Sequence, residues 1–374
     1  MFDIFNIFYI LIVFLIVRRL YKIKYIYILF LLVHLFSIFL FNGFLFEPSY
    51  MPDQFKYLEV AKNVRAFDFL NEENFTYGVT VYLSGVFFGL FPIPFIDTIY
   101  SICMINFLLY FIIFIFLYKK GFLNSKFILW FYLFYPSLAM YSSLALRDML
   151  IFFIMFLGIY YIIVAKRYLF GFAYLSFLFF IKFQNLLFFV VSFFVTIFFS
   201  KKINVKHLLF GIITFIFVFL LFIEFFSIDK LNYYRLSFYN ENLSNLKEQF
   251  IEISSYLDLL IYSLPSIINF LFHPLPWKDF NLLKSVQFLE NCTIFILIIY
   301  ILLKNFKYKL FVFKEVKFMT MFLLLTLLIY GVVIYNSGTA ARYKFPIITI
   351  YIIYSWYFIY QAKQLHKENK QCAE

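Results

Sequence analysis

The 374-residue chain is 65% hydrophobic and only 14% charged, with a mean hydropathy of +0.90. A soluble domain is about half apolar and a quarter charged, so a soluble globular fold is excluded and a polytopic membrane protein is expected. The net charge of +12 would suggest nucleic acid in a soluble chain, but most Lys and Arg fall in short loops between apolar runs. That is the positive-inside pattern, and no nucleic-acid partner is read from it.

The expected fold is all-α: a transmembrane helix bundle forming one integral-membrane domain over residues 1–374. A span needs about 20 apolar residues, and on that ruler about eleven spans are counted, a few of them short. The first lies near 4–17 and ends in Arg18-Arg19 rather than in small residues, so it reads as a retained span, not a cleaved signal peptide. Arg18, Arg19, Lys22 and Lys24 put that end in the cytoplasm and the N-terminus outside. The second span, near 25–45, leads to an external segment at about 46–96. Its Tyr77–Leu90 part is apolar. Read as a span, it would invert every later basic loop; read as a re-entrant or interfacial helix closed by Phe91-Pro-Ile-Pro94, it keeps them inside.

Further spans are expected near 97–118, 124–139 and 148–165, with an outer turn at 140–147. A shallow pair follows at 168–181 and 185–200, then a span near 208–226. A second external segment, about 227–287, contains an amphipathic stretch around 243–262. The last spans lie near 288–303, 318–335 and 345–361, the final two flanking an external turn from Asn336 to Lys344, and a cytoplasmic tail starts near 362. Cys103, Cys292 and Cys372 share no metal or redox spacing, and His34, His207, His273 and His366 are scattered, so no metal site is expected.

The polar run from Pro48 to Arg65 is the conspicuous feature of this pattern. Asp53 follows two prolines and suits an N-cap. Asp53, Tyr57 and Ala61 fall on one helical face. A cap explains the position of Asp53; the stripe with Tyr57 and Ala61 suggests a catalytic carboxylate as the alternative. Cations on the side away from the cytoplasm stand out because the pattern disfavours them. They are Lys56, Lys62, Arg65, Arg147, Lys182, Lys230, Arg235, Lys278, Arg342 and Lys344. Each either anchors a helix end by snorkelling or meets an anionic headgroup, a task suited to the guanidinium fork. Asp148 reads as a cap and dipole partner for the helix that follows it. Only ten glycines are present and none forms a phosphate-binding loop, so a nucleotide sugar is not the expected donor.

The first-loop pattern P-x3-P-D-Q-x2-Y-x3-A-x3-R resembles the first loop of the GT-C superfamily of multispan, polyprenyl-phosphate-dependent glycosyltransferases. Tyr77-Gly78, Asn106, Tyr135-Pro-Ser137, Tyr141-Ser-Ser143, Leu146-Arg-Asp148 and the Arg342-to-Pro346 run extend the similarity. The resemblance covers roughly 46–165 and 335–362, and Asp53-Gln54 stands where many members have Asp-Glu. It implies that Asp53 is the base, that Arg147, Arg342 and Lys344 hold the donor phosphate, and that Gln54 and Tyr57 meet the acceptor. Tyr234 and Trp277 in the second external segment would stack on sugar faces. The implied donor is a polyprenyl-(di)phosphate-linked saccharide and the acceptor a glycan or lipid. The implied location is the outer face of a bacterial inner membrane, and no cofactor is expected. Pro274-Leu-Pro-Trp277 and the Arg342 region are similar to O-antigen or capsule repeat-unit polymerases as well. A lipid-linked glycan flippase or transporter is the alternative of another class.

Overall fold

A computed structural model describes residues 2–198, 227–240, 250–275, 277, 281–334 and 337–371. The chain divides into two compact units, Met1–Phe183 and Gln184–Glu374. Among the described residues every regular element is a helix, and one isolated bridge joins Asn42 and Phe46.

The first unit contains α1 (Phe2–Tyr21), α2 (Tyr25–Phe41), α3 (Asp53–Arg65), α4 (Glu72–Thr76), α5 (Val79–Leu90) and α6 (Ile99–Lys119). It continues with α7 (Lys126–Phe134), α8 (Pro136–Ser143), α9 (Asp148–Ile159), a π-helical turn at Tyr160–Val164, and α10 (Tyr168–Ile181). Helix α6 is its axis, buried almost all round and packed against α1, α2, α3, α8 and α9. Its start is sharp because Thr98 and Ser101 form a reciprocal capping box. Asp3 accepts hydrogen bonds from both hydroxyls at 2.9–3.0 Å, which pins the first turn of α1 to the first turn of α6. Asn6 adds a two-way bond to the Phe95 backbone, at 2.9 and 3.1 Å.

Helices α3 and α5 form a tight hairpin. Gly85 and Gly89 of α5, four apart, face Val60 and Val64 of α3 so closely that a methyl at Gly85 would stand 2.5 Å from Val60 Cβ. At 12 residues α5 rises about 18 Å, well short of the ~30 Å hydrocarbon core. This favours the re-entrant or interfacial reading of the segment over a span.

The second unit holds α11 (Phe183–Phe198, which begins at the division), α12 (Ile228–Asn240), α13 (Tyr256–Phe272), α14 (Leu282–Lys307), α15 (Lys314–Val333) and α16 (Ser337–Gln371). Gly331 of α15 admits the backbone of α13 at Ile267, and α14 and α15 both pack on α16. Asn232 of α12 exchanges hydrogen bonds with the Ile253 backbone, at 2.8 and 3.1 Å, and so seats α12 against the segment leading into α13.

Among the described residues five helices are long and apolar enough to cross a membrane: α1, α6, α14, α15 and α16. A sixth span is obtained if α8 and the α9–π-turn segment, bent by 117°, are counted together. The chain is thus a multi-pass membrane protein, but the expected count of about eleven spans is not confirmed. Several apolar runs form shorter helices of 10–17 residues, among them α2, α5, α10, α11 and α13. The span expected near 208–226 lies outside the described residues, as do Lys201, Lys202, Lys278, Cys372 and most of the 243–255 part of the amphipathic stretch.

Three local expectations are corrected. Asp53 is not an N-cap: Pro52 already has helical angles (φ −61°, ψ −22°), so Asp53 occupies the first helical position. The run expected to span 124–139 is broken at Tyr135-Pro136, since Pro136 has no N–H to donate and starts α8 instead. From Ser337 onward the expected outer turn is helix, so Arg342 and Lys344 stand on the early turns of α16.

Candidate functional site

The polar chemistry of the first unit converges on the elbow 144–147 between α8 and α9. No single helix supplies it. Asn106, fully buried on α6, donates to the carbonyls of Leu144 and Leu146 at 2.6 and 2.7 Å. Asn42, at the end of α2, donates to the Ser143 carbonyl at 3.1 Å and to Cys103 Sγ at 3.1 Å. His34 Nε2 lies 2.7 Å from Ser142 Oγ, and Ser37 Oγ lies 2.8 Å from Ser143 Oγ. Gln54 of α3 completes the frame: its Oε1 accepts from the Ala145 N–H at 2.9 Å. Carbonyls and N–H groups of a broken helix cannot be left bare in apolar surroundings. The elbow is therefore held open by side chains from α2, α3 and α6.

The Gln54–Ala145 bond ties together the two segments that carry Asp53 and Arg147, both singled out by sequence. Asp53 directly precedes Gln54 on α3, and Arg147 comes two residues after Ala145. Asp53 is half-exposed, with its Oδ1 3.2 Å from the ammonium of Lys56. A pair exposed to this degree contributes only a few tenths of a kcal/mol. Arg147 is half-buried just ahead of α9, and its Nη1 is buried without a hydrogen-bond partner. Asp148 is buried at the first position of α9.

Gln54 and Tyr57, expected to meet the acceptor, face inward instead. Gln54 is spent on the elbow and on a long 3.5 Å contact to the Pro48 carbonyl. Tyr57 is buried edge-on against Phe88 in the α3–α5 seam. Arg65 closes that hairpin: its guanidinium donates to the carbonyls of Gly89, Phe91 and Ile93 at 2.6–2.7 Å, just past the end of α5. Partial burial lowers its pKa from the usual value.

The other expected site residues belong to the second unit. Lys344 is buried, and its ammonium donates to Phe270 O (3.3 Å), Leu271 O (3.0 Å) and Asn291 Oδ1 (2.7 Å). An ammonium has three protons, and three acceptors surround this one. Arg342 is half-buried on α16. Tyr234 is 44% and Trp277 70% exposed, so both present aromatic surface. Arg235, named only among the outer cations, is buried and donates to Val332 O and Asn232 Oδ1 at 3.2 and 3.1 Å. Among the described residues no group of three or more His, Cys, Asp or Glu gathers to hold a metal ion.

His34, Ser37 and Asn42 were missed as a set by sequence reasoning. The available signal was His34 and Ser37 on an otherwise apolar helix and Asn42 just after its end, where a buried polar group needs a partner. No family model, characterised protein or solved structure matches this chain.

Proposed function

We propose that this protein is a membrane glycosyltransferase. It moves a sugar from a polyprenyl-(di)phosphate donor to an acceptor glycan or lipid at the extracytoplasmic face of a bacterial inner membrane, with the N-terminus outside and the C-terminus cytoplasmic. The observation that carries the reading is the elbow. A half-exposed carboxylate heads α3, and the residue beside it is bonded to the loop that leads into a guanidinium with an unused buried N–H.

In the proposed step Asp53 takes the proton of the acceptor hydroxyl. The hydroxyl oxygen bonds to the anomeric carbon as the bond from that carbon to the phosphate oxygen breaks. The polyprenyl (di)phosphate leaves with the electron pair. Its growing charge is met by Arg147, an interaction stronger in the transition state than in the ground state. Arg342, Tyr234 and Trp277 belong to the second unit and are given no role in this step.

The test is Asp53→Asn in membranes with matched protein levels. General-base catalysis contributes about 10²–10⁴-fold, so transfer should fall at least a hundredfold; retained transfer removes Asp53 as the base. Lipid-linked glycans from a strain lacking the gene separate the classes. Repeat units missing one sugar support the transferase, single unpolymerised units identify a polymerase, and a complete glycan on the wrong leaflet identifies a flippase.

A further inference from the structure

The α1–α2 turn carries a cationic groove that takes no part in the proposed chemistry. Leu15, Arg18 and Arg19 follow one another at helical spacings of three and one, so they share one face of the end of α1, and Lys22 follows in the turn. With Ile23 and Tyr25 they line an open groove of about 610 Å³. That volume is within the range of small-ligand sites.

The groove is built rather than merely charged. The Arg18 guanidinium lies 3.3 Å over the ring of Tyr25, a cation–π contact that fixes the plane of the fork. Its Nε is buried with no hydrogen-bond partner. Lys22 has a left-handed backbone (φ 52°), which L side chains adopt at a cost, and its carbonyl accepts from Tyr118 Oη at 3.5 Å. That long contact adds little strength but places the turn near the end of α6, beside Lys119 and Lys120. Among the described residues no carboxylate lies within ion-pair distance of Arg18, Arg19 or Lys22. Three like charges lining one groove repel one another, and a shared anion relieves that repulsion.

The apolar side of the groove identifies the anion. Leu15 is 64% exposed on the side of α1 that runs into its membrane span, and Ile12 and Ile16 continue the apolar surface. A soluble anion would have no use for this surface, whereas an acyl chain would lie along it. We infer that the α1–α2 groove is a binding site for the phosphodiester headgroup of an anionic phospholipid, held by Arg18, Arg19 and Lys22 with its acyl chain along Leu15.

The experiment uses the purified full-length chain in a neutral detergent. Phosphatidylglycerol, phosphatidylcholine and inorganic phosphate are titrated separately. Retained lipid is read by native mass spectrometry, and half-saturation by thermal shift. Phosphatidylglycerol should bind and stabilise, and the other two should not. Each cation near a membrane surface is worth about fivefold in anionic-lipid affinity, so R18Q/R19Q should raise the half-saturating concentration roughly twenty-five-fold. The control K304Q/K307Q, at the end of α14, should stay within about twofold. Tyr25→Leu keeps every charge and removes only the stacking platform, so it should weaken binding about two- to fivefold even if the double variant does not fold. An R18Q/R19Q protein that binds phosphatidylglycerol like the parent overturns the site. Stabilisation by inorganic phosphate at the same concentrations as phosphatidylglycerol overturns the lipid assignment. Unchanged affinity in Tyr25→Leu overturns the stacked-guanidinium geometry.

Discussion

Gln54 offers the sharpest test of how the first unit positions its chemistry. Gln54→Met keeps side-chain volume and helix preference and removes only the polar atoms. The contact to Pro48 O, at 3.5 Å, is at the limit of a hydrogen bond and contributes little. The 2.9 Å bond from Ala145 N–H is the one that matters. Without its acceptor that buried donor is left unpaired, at a cost of about 1–3 kcal/mol. For a unit of this size the unfolding midpoint should drop on the order of 5 °C. Activity should fall further than stability, because the elbow loses its link to α3 just ahead of Arg147. A displacement near 1 Å can cost up to about a hundredfold in rate. Thermal unfolding of the purified protein gives the first number, and sugar transfer in membranes at matched protein level gives the second. A Met variant with an unchanged midpoint and full transfer would refute the idea that Gln54 holds the elbow in place.

Gly85→Ala places a methyl 2.5 Å from Val60 Cβ. Overpacking of about 1–3 kcal/mol should outweigh the ~1 kcal/mol gain in helix preference, and Val60→Ala in the same chain should recover most of the loss in a melting assay. Arg65→Lys cannot reach three carbonyls with one fork and should cost about 1–3 kcal/mol. Limited proteolysis should then cut first within 89–95, and an unchanged digestion pattern would count against the clamp. Lys344→Met should destabilise the second unit by about 2–4 kcal/mol, since it strips three acceptors of their donor. Loss of transfer with no loss of stability would instead favour Lys344 as a phosphate ligand.

Elements whose limits are set by composition were legible in the sequence. The run expected at 97–118 is α6, Ile99–Lys119, because an unbroken apolar stretch ends at paired lysines. The 168–181 helix has the expected limits. Elements whose limits depend on backbone chemistry were read less well. Pro136 divided an apolar run that hydropathy alone treats as continuous. The polar run after Asn336 looked like a turn. Its Ala-Ala-Arg-Tyr-Lys core is nevertheless made mostly of good helix formers, and it continues into the following span as one helix. Around the elbow, Asn106 and Ser142-Ser143 were noticed as motif letters, but Asn106 bonds to carbonyls 38 and 40 residues away and the two serines pair with α2 residues 108 and 106 residues away. Neither spacing nor periodicity carries pairings at that range.

The cations changed most in meaning. Arg65, Arg235 and Lys344 were grouped with the outer charges that could meet a phosphate. In the structure each donates to carbonyls at or just past the C-terminal end of an apolar helix: α5 for Arg65, α15 for Arg235 and α13 for Lys344. The last carbonyls of a helix have no intrahelical donor. Water can satisfy them at a protein surface, but in apolar surroundings a long cationic side chain is an efficient substitute and also complements the helix dipole. An excess of Lys and Arg on the disfavoured side is therefore expected wherever short apolar helices end below the interface, whether or not a phosphate is bound. Counting such cations does not identify a donor site. What distinguishes Arg147 from these three is a buried N–H without an acceptor, next to an elbow whose Leu144 and Leu146 carbonyls and Ala145 N–H are bonded to side chains of α6 and α3. The donor-phosphate assignment at the elbow rests on that unpaired Arg147 donor.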